Sequence, residues 1–500
     1  MKRSRPPVPR SIRLPSLPPL FAPPDFAPYG AGPPALDAIS AARLRRDLYH
    51  LAGDALNGRE AGTEDELRTA MWLCERAHSE GLEPAGRDGT YVQFFPMRRL
   101  RQSETSWIKL GDVNLMPGRD AVTFGPVRCT LPDTPLLFVP PEAAVDPVAV
   151  RGRFVATVAC PPAQCDPPGI SMEQFRHAIR TIGERSQAFL CAGAVGVVIA
   201  SDDAVEHCFD DAGTAVFRGR YGLDEGPDTF HPDPAPVIWV RAALAGQLQR
   251  PGITLRAGLD VDNFVYPSAN VVACVPGTDP SLAHEYVLFS GHLDHDGLRP
   301  RGGADPIRHG ADDNGSMSAA LLAIGRAWRR HPARRSALFV WHGAEERGLL
   351  GSNWFAKHPT VPAGSIVAVL NGDMIGRNAP DMAALLGAEP PNCNSRALVS
   401  AALAANERVG HFSVDTSWDH PDHPEAFYFR SDHLPYARAG IPALFFTTEL
   451  HADYHEPSDT PDRIDYDKLA RMARWIYATG WLVANADERP APDTDLDPIV

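Results

Sequence analysis

The chain has 500 residues, 44% of them hydrophobic and 22% charged, a length and balance that point to a soluble globular protein of more than one domain. Its net charge of −14 disfavours nucleic acid and anionic membrane as partners, because both are polyanions. No apolar run is long enough to span a bilayer.

Residues 1–35 are basic at first and then rich in proline, which blocks helix and removes backbone donors, so an extended tail is expected. The basic opening suits a signal peptide, but the run from Leu14 to Pro23 is too interrupted by proline to form its apolar core. The default compartment is therefore the cytoplasm. Two helices follow: Leu44, Leu48 and Leu51 share one face, and Leu67, Ala70, Met71, Cys74 and Ala77 share another. The second helix starts at Thr63 with Glu66 at capping-box spacing and ends at Gly81. From about Cys129 a smaller α/β unit is predicted. Its strands are Phe154 to Ala159, a run within Ala192 to Ala200, and Pro236 to Val240, with a helix marked by Phe175, Ile179 and Ile182. After Asn270 strand and helix patterns alternate to a closing helix through Leu469, Met472, Ala473, Ile476 and Leu482. That alternation predicts an α/β fold, a mainly parallel or mixed sheet flanked by helices on both faces, with the smaller α/β unit inserted. The expected boundaries are 36–127 and 262–487 for the main domain, 128–261 for the insert, and 488–500 for a loose acidic tail. The eight cysteines contain no CxxC pair and read as free, mostly buried thiols.

The main domain is organised around Val340-Trp-His-Gly-Ala-Glu-Glu-Arg-Gly-Leu-Leu-Gly-Ser352, an apolar run that stops at the adjacent acids Glu345 and Glu346. Acids at a helix start are ordinarily caps. Here they keep company. Glu285 to Ser290 leads to His292 and Asp294, Gly310-Ala-Asp-Asp-Asn-Gly-Ser316 precedes a helical pattern, Ile366 to Leu370 leads to Asp373, and Ala443 to Phe446 precedes Asp453 and His455. Strand-like runs that each deliver a His or carboxylate at the same end build a site at the carboxyl edge of a sheet. His and carboxylate groups without a nearby Cys suit a pair of zinc ions, with manganese or cobalt as other divalent choices.

These motifs, in this order, resemble those of the M28 family of co-catalytic zinc aminopeptidases. The segment Leu56-Asn-Gly-Arg-Glu-Ala-Gly-Thr63 resembles one common at the start of such domains, and the insert resembles a protease-associated (PA) domain. The resemblance implies two zinc ions bridged by Asp312, with His292 and Asp373 on one and Glu346 and His455 on the other. It implies a bridging hydroxide, Glu345 as general base and acid, Asp294 holding the His292 ring, and a cis peptide between Asp312 and Asp313. It further implies peptide substrates cleaved at the free amino end. Asp313, Ser431, Asp432, His433 and Tyr436 are expected beside the site or facing substrate; three consecutive residues cannot readily converge as a Ser-Asp-His triad. His295, His309 and His451 read as solvated or supporting histidines, since five ligand positions are already filled. The rival readings are a related carboxypeptidase, a glutaminyl cyclase and a non-catalytic receptor-like protein.

Overall fold

The computed structural model describes residues 33–159, 173–210, 213, 218–226, 231–299, 305–423 and 425–493. Most of the expected N-terminal tail, Cys160 and Cys165 lie outside the described residues; Cys74, Cys129, Cys191, Cys274 and Cys393 are free thiols. Two sheets organise the rest. The first has ten strands, nine of them in the order Ser413–Asp415, Met382–Leu386, Ala443–Thr447, Ile366–Gly372, Tyr286–His292, Ser336–His342, Val261–Val275, Val92–Gln102 and Arg220–Leu223. At its centre Ala443–Thr447, Ile366–Gly372, Tyr286–His292 and Ser336–His342 are mutually parallel.

The sequence of these four strands explains their position. They are apolar almost without a break, as strands covered on both faces must be, and every residue but Tyr286 is buried. Alternate side chains leave by opposite faces. Phe289, Phe339 and Leu370 enter a large core with Trp328 and Trp475 from the helices Met317–Arg330 and Tyr466–Asn485. Leu288, Leu338, Val340 and Val369 pack on the other face against Phe355 of Leu350–Lys357 and Tyr436 of Leu434–Arg438. This is the α/β arrangement, helices on both faces, that the alternation predicted.

Local expectations hold with adjustments. The helix Glu64–Ser79 begins where predicted, the Thr63 hydroxyl accepting from Glu66 N–H at 3.4 Å. The Glu66 carboxylate takes the Gly62 N–H and the Ser268 hydroxyl, and burial raises its pKa to about 8. Met71, expected on the buried face, is 51% exposed, because the buried stripe runs through Glu66, Thr69, Ala70, Leu73, Cys74 and Ala77. Within the expected loose end, Ala491 O accepts from Ser395 Oγ and Asp493 accepts from Arg396 N, so the chain is tied down at least that far.

The second sheet has eight strands in the order Val113–Leu115, Trp107–Leu110, Thr254–Leu259, Cys129–Phe138, Phe154–Val158, Gly196–Ala200, Val237–Val240 and Ala121–Thr123. Three of them lie upstream of residue 128. A long antiparallel ribbon, Val261 to Val271 against Val92 to Gln102, joins the two sheets. From within the insert, Arg220–Leu223 returns to pair with Met97 to Leu100 on the outer edge of that ribbon. No described helix is long and apolar enough to cross a membrane.

Candidate metal centre

The four central parallel strands end on one side, and the chain turns there into the residues that face one another. His292 closes its strand in register with His342, three residues ahead of Glu345. Asp373 follows Gly372 directly, and the loop after Thr447 brings up His451, Asp453 and His455. The fifth contribution is the turn Ala311–Ser316 before the helix Met317–Arg330. It enters through Gly310 at φ 58°, where a Cβ would meet Asp313 O at 2.3 Å and the His295 ring at 2.5 Å, so only glycine fits. Buried Arg59 locks the entry, donating to Leu51 O, Leu293 O, His309 O and Gly310 O at 2.7–2.9 Å; burial lowers its pKa to about 10.

Two groups of ligand-type atoms result. One comprises His292, Glu345 and Asp373; the other His295, Asp313, Glu346 and His455. Asp313 lies between them, Oδ1 3.2 Å from His292 Nε2 and Oδ2 3.1 Å from His455 Nε2. Asp373 Oδ1 is 3.5 Å from His292 Nε2, and Glu346 Oε2 is 3.2 Å from His455 Nε2. His292 Nε2, Asp373 Oδ1 and His455 Nε2 are buried without a hydrogen-bond partner. Inward-facing buried donor atoms of this kind are a set that fits metal ions.

Several expected roles are corrected by these positions. Asp312 does not face the cluster: its Oδ1 accepts from Gly376 N at 2.7 Å and its Oδ2 lies 3.3 Å from His451 Nε2. Asp313 stands where Asp312 was expected, and the cis peptide is Asp313–Asn314 rather than Asp312–Asp313. Asp294 stands beside the His292 ring as expected, its Oδ1 3.8 Å from Nδ1, but its carboxylate makes its hydrogen bonds to the Glu345 and Glu346 amides at 3.0 and 3.3 Å, and the ring Nδ1 lies 3.1 Å from the Asp294 carbonyl oxygen. His295, read as a bystander, has its Nδ1 2.8 Å from Glu346 Oε1. Asp296 was not singled out at all, yet it lies 3.3 Å from His455 Nδ1, on the far side of that ring from the cluster.

The remaining candidates take supporting or core positions. Ser431 Oγ donates to Asp373 Oδ2 at 2.8 Å, fixing that carboxylate. Asp432 is buried nearby, its pKa raised to about 7 by burial. His433 stacks on Phe445 with centroids 5.0 Å apart, and burial lowers its pKa to about 3; it does not address Ser431, so there is no triad. Tyr436 is fully buried, its hydroxyl 3.1 Å from His342 Nε2. His309 Nδ1 lies 3.2 Å from Ala52 O.

The electrostatics match a nest of carboxylates around imidazoles. Burial raises Glu345 well above the usual carboxylate range, and Glu346, Asp432 and Asp373 add to it against the pull of His292. Burial opposes charge on His455 as well, but Glu346 and Asp296 beside it win and hold the ring well above its ordinary value.

Comparison with known sequences matches residues 270–480 to Peptidase family M28. Those residues are an M28 peptidase domain. The M28 domain holds every residue of both groups. Among its relatives, aminopeptidase YwaD of Bacillus subtilis (strain 168) is 27% identical over 192 residues, 37% of this chain and 40% of the relative. A probable leucine aminopeptidase of Arthroderma otae is 27% identical over 252 residues, 47% of this chain and 62% of the relative. The aligned stretch thus spans less than two thirds of either relative. The fold is shared more widely. The aminopeptidase from Aneurinibacillus sp. strain AM-1 superposes with a TM-score of 0.58 at 17% identity, covering 92% of this chain and 98% of its own. BSAP, a zinc aminopeptidase from Bacillus subtilis, gives 0.57 at 17% identity, covering 90% and 96%.

Proposed function

We propose that the protein is a dinuclear zinc aminopeptidase that removes residues from the free amino end of peptides. The observation that carries this reading is the position of Asp313, one carboxylate oxygen toward each of two histidines, with an acid beyond each. On this reading Asp313 is shared, His292 and Asp373 complete one set, and Glu346 and His455, with His295 adjoining, complete the other. Three carboxylates would offset three of the four positive charges of two divalent ions, which lowers the cost of burying them. A bound pair of such ions lowers the pKa of water and polarises the scissile carbonyl.

The rest falls to the chain. Glu345 accepts the proton of the attacking water and returns it to the departing amine, a task suited to a carboxyl whose pKa is raised. Asp294 pins the Glu345 and Glu346 amides, so base and ligand move as one rigid turn. Asp296 orients His455 and Ser431 orients Asp373, the supporting bonds that metal ligands ordinarily need. The direction of attack, from the amino end, is supported by the names of the relatives. The insert is read as a PA-like unit that begins after Gln102 and ends before Val261, wider than the 128–261 of the sequence reading.

The deciding experiment incubates zinc-loaded protein with peptides bearing free, acetylated, amidated and N-terminal glutamine ends and follows their masses. Stepwise loss from free amino ends alone is expected. Shortening from the carboxyl end, ammonia loss from glutamine peptides, or no change with metal bound would each replace this reading with the corresponding rival.

A further inference from the structure

Beside Glu346 and His455 opens a cavity of about 420 Å³ whose walls carry five guanidinium groups, from Arg176, Arg218, Arg299, Arg347 and Arg430. In a chain of net charge −14 this concentration stands out. The insert supplies two of the five: Arg176 from the helix Glu173–Cys191, and Arg218 just before the strand Arg220–Leu223. The M28 domain supplies the others.

Among the described residues, the acids around them do not balance the charge. Arg176 and Arg430 share one fully buried carboxylate, Glu425. Arg218, Arg299 and Arg347 share Glu60 and Asp296. Among the described residues, five cations therefore meet three carboxylates, a surplus of two positive charges, since Glu346 faces the two histidines of the metal centre. Crowding is visible on Arg218: burial, with Arg347 and Arg299 nearby, pulls it below its ordinary pKa in spite of Glu60. Arg347 Nε is buried without a hydrogen-bond partner. Guanidinium forks in a partly desolvated pocket are matched to carboxylate, which they bind through paired hydrogen bonds.

We infer that this pocket receives a substrate carboxylate within one residue of the scissile bond, so that the enzyme prefers peptides with an acidic group there. The inference rests on the peptidase reading and gives it a substrate class. The carboxylate can come from an amino-terminal Glu or Asp side chain or from the free carboxyl end of a dipeptide, which present the same group to the same arginines.

Two measurements on the zinc-loaded full chain test this. Titration calorimetry with glutamate against glutamine reads the pocket without turnover; glutamate binding at least about tenfold tighter, and weakening in high salt, is expected. Kinetics on Glu-, Gln- and Leu-headed peptide amides, and on Leu-Leu against its amide, then locate the carboxylate. A Glu over Gln ratio in kcat/KM of about tenfold or more assigns it to the side chain, whereas the same preference for Leu-Leu over its amide assigns it to the carboxyl end. Separate Arg176→Gln and Arg430→Gln variants, each leaving Glu425 the other arginine, are expected to bring the preferred ratio to within about threefold. Cleavage of Leu-headed amides with no discrimination in either measurement would overturn the inference and leave the peptidase reading standing. No turnover on any peptide with zinc bound would overturn the peptidase reading, and calorimetry would still decide the pocket.

Discussion

Both sheets contain parallel strands of the same make, short buried apolar runs, but their carboxyl ends carry different residues. In the first sheet the strands lead to His292, Glu345, Glu346, Asp373 and His455, whose side chains face one another. In the second, Gly196–Ala200 leads to Asp202 and Val237–Val240 to Arg241. Asp202 accepts from Val205 N at 2.8 Å as an ordinary helix cap, and Arg241 pairs with Glu206 at 3.2 Å. An acid after a strand is thus a cap unless its neighbours converge on it, and the architecture alone does not make a site.

Substitutions in the two sheets should separate accordingly. Glu345→Gln is expected to lower kcat by about a thousandfold or more while zinc content, read by atomic absorption, stays at wild type. Near-normal turnover would remove Glu345 as the proton carrier. Asp313→Asn should weaken zinc binding by at least about a hundredfold in competition with a chelator, and Asp312→Asn by much less; equal effects would return the bridge to Asp312. In the second sheet, Ile199→Ala is expected to cost about 2–5 kcal/mol in denaturant unfolding, because it empties a fully buried position, with no loss of zinc per folded chain. Asp296→Asn should weaken zinc affinity by about ten- to a hundredfold through the loosened His455 ring.

A separate effect is in pH dependence. Burial lowers the pKa of His342 to about 3, so the fold favours the neutral ring. Its stabilisation is whole above pH about 6.5 and is lost as the pH falls from there toward 3, by about 1.4 kcal/mol per unit. His433, lowered likewise to about 3, adds the same slope. His342→Gln should therefore remove about half of this shared contribution to the acid-side slope in unfolding titrations.

How much of this was legible in the sequence follows from what periodicity reports. Buried strands announce themselves as apolar runs, so the sheet and the ends of its strands were readable. Direction within a loop was not. Asp312 and Asp313 are adjacent and chemically identical, and which one faces inward depends on the left-handed turn at Gly310 and the extended backbone at Asp313. Asp294 lies two residues beyond His292, a spacing that suggests contact with its ring, and its carboxylate does lie 3.8 Å from Nδ1, yet the chain has left the strand and the hydrogen bonds of that carboxylate go to two amides. His295 was set aside by counting ligands, an argument from number where only geometry decides.

The strand Arg220–Leu223 carries one more consequence, for anyone who would trim the protein. It is an edge strand of the ten-stranded sheet, although it belongs in sequence to the insert. A shortened gene that fuses Gln102 to Val261 would strip Met97 to Leu100 of their outer partners and leave a bare sheet margin, a template for pairing with other chains. Such a product should clump rather than behave as a minimal enzyme, and a soluble core would have to keep that borrowed strand.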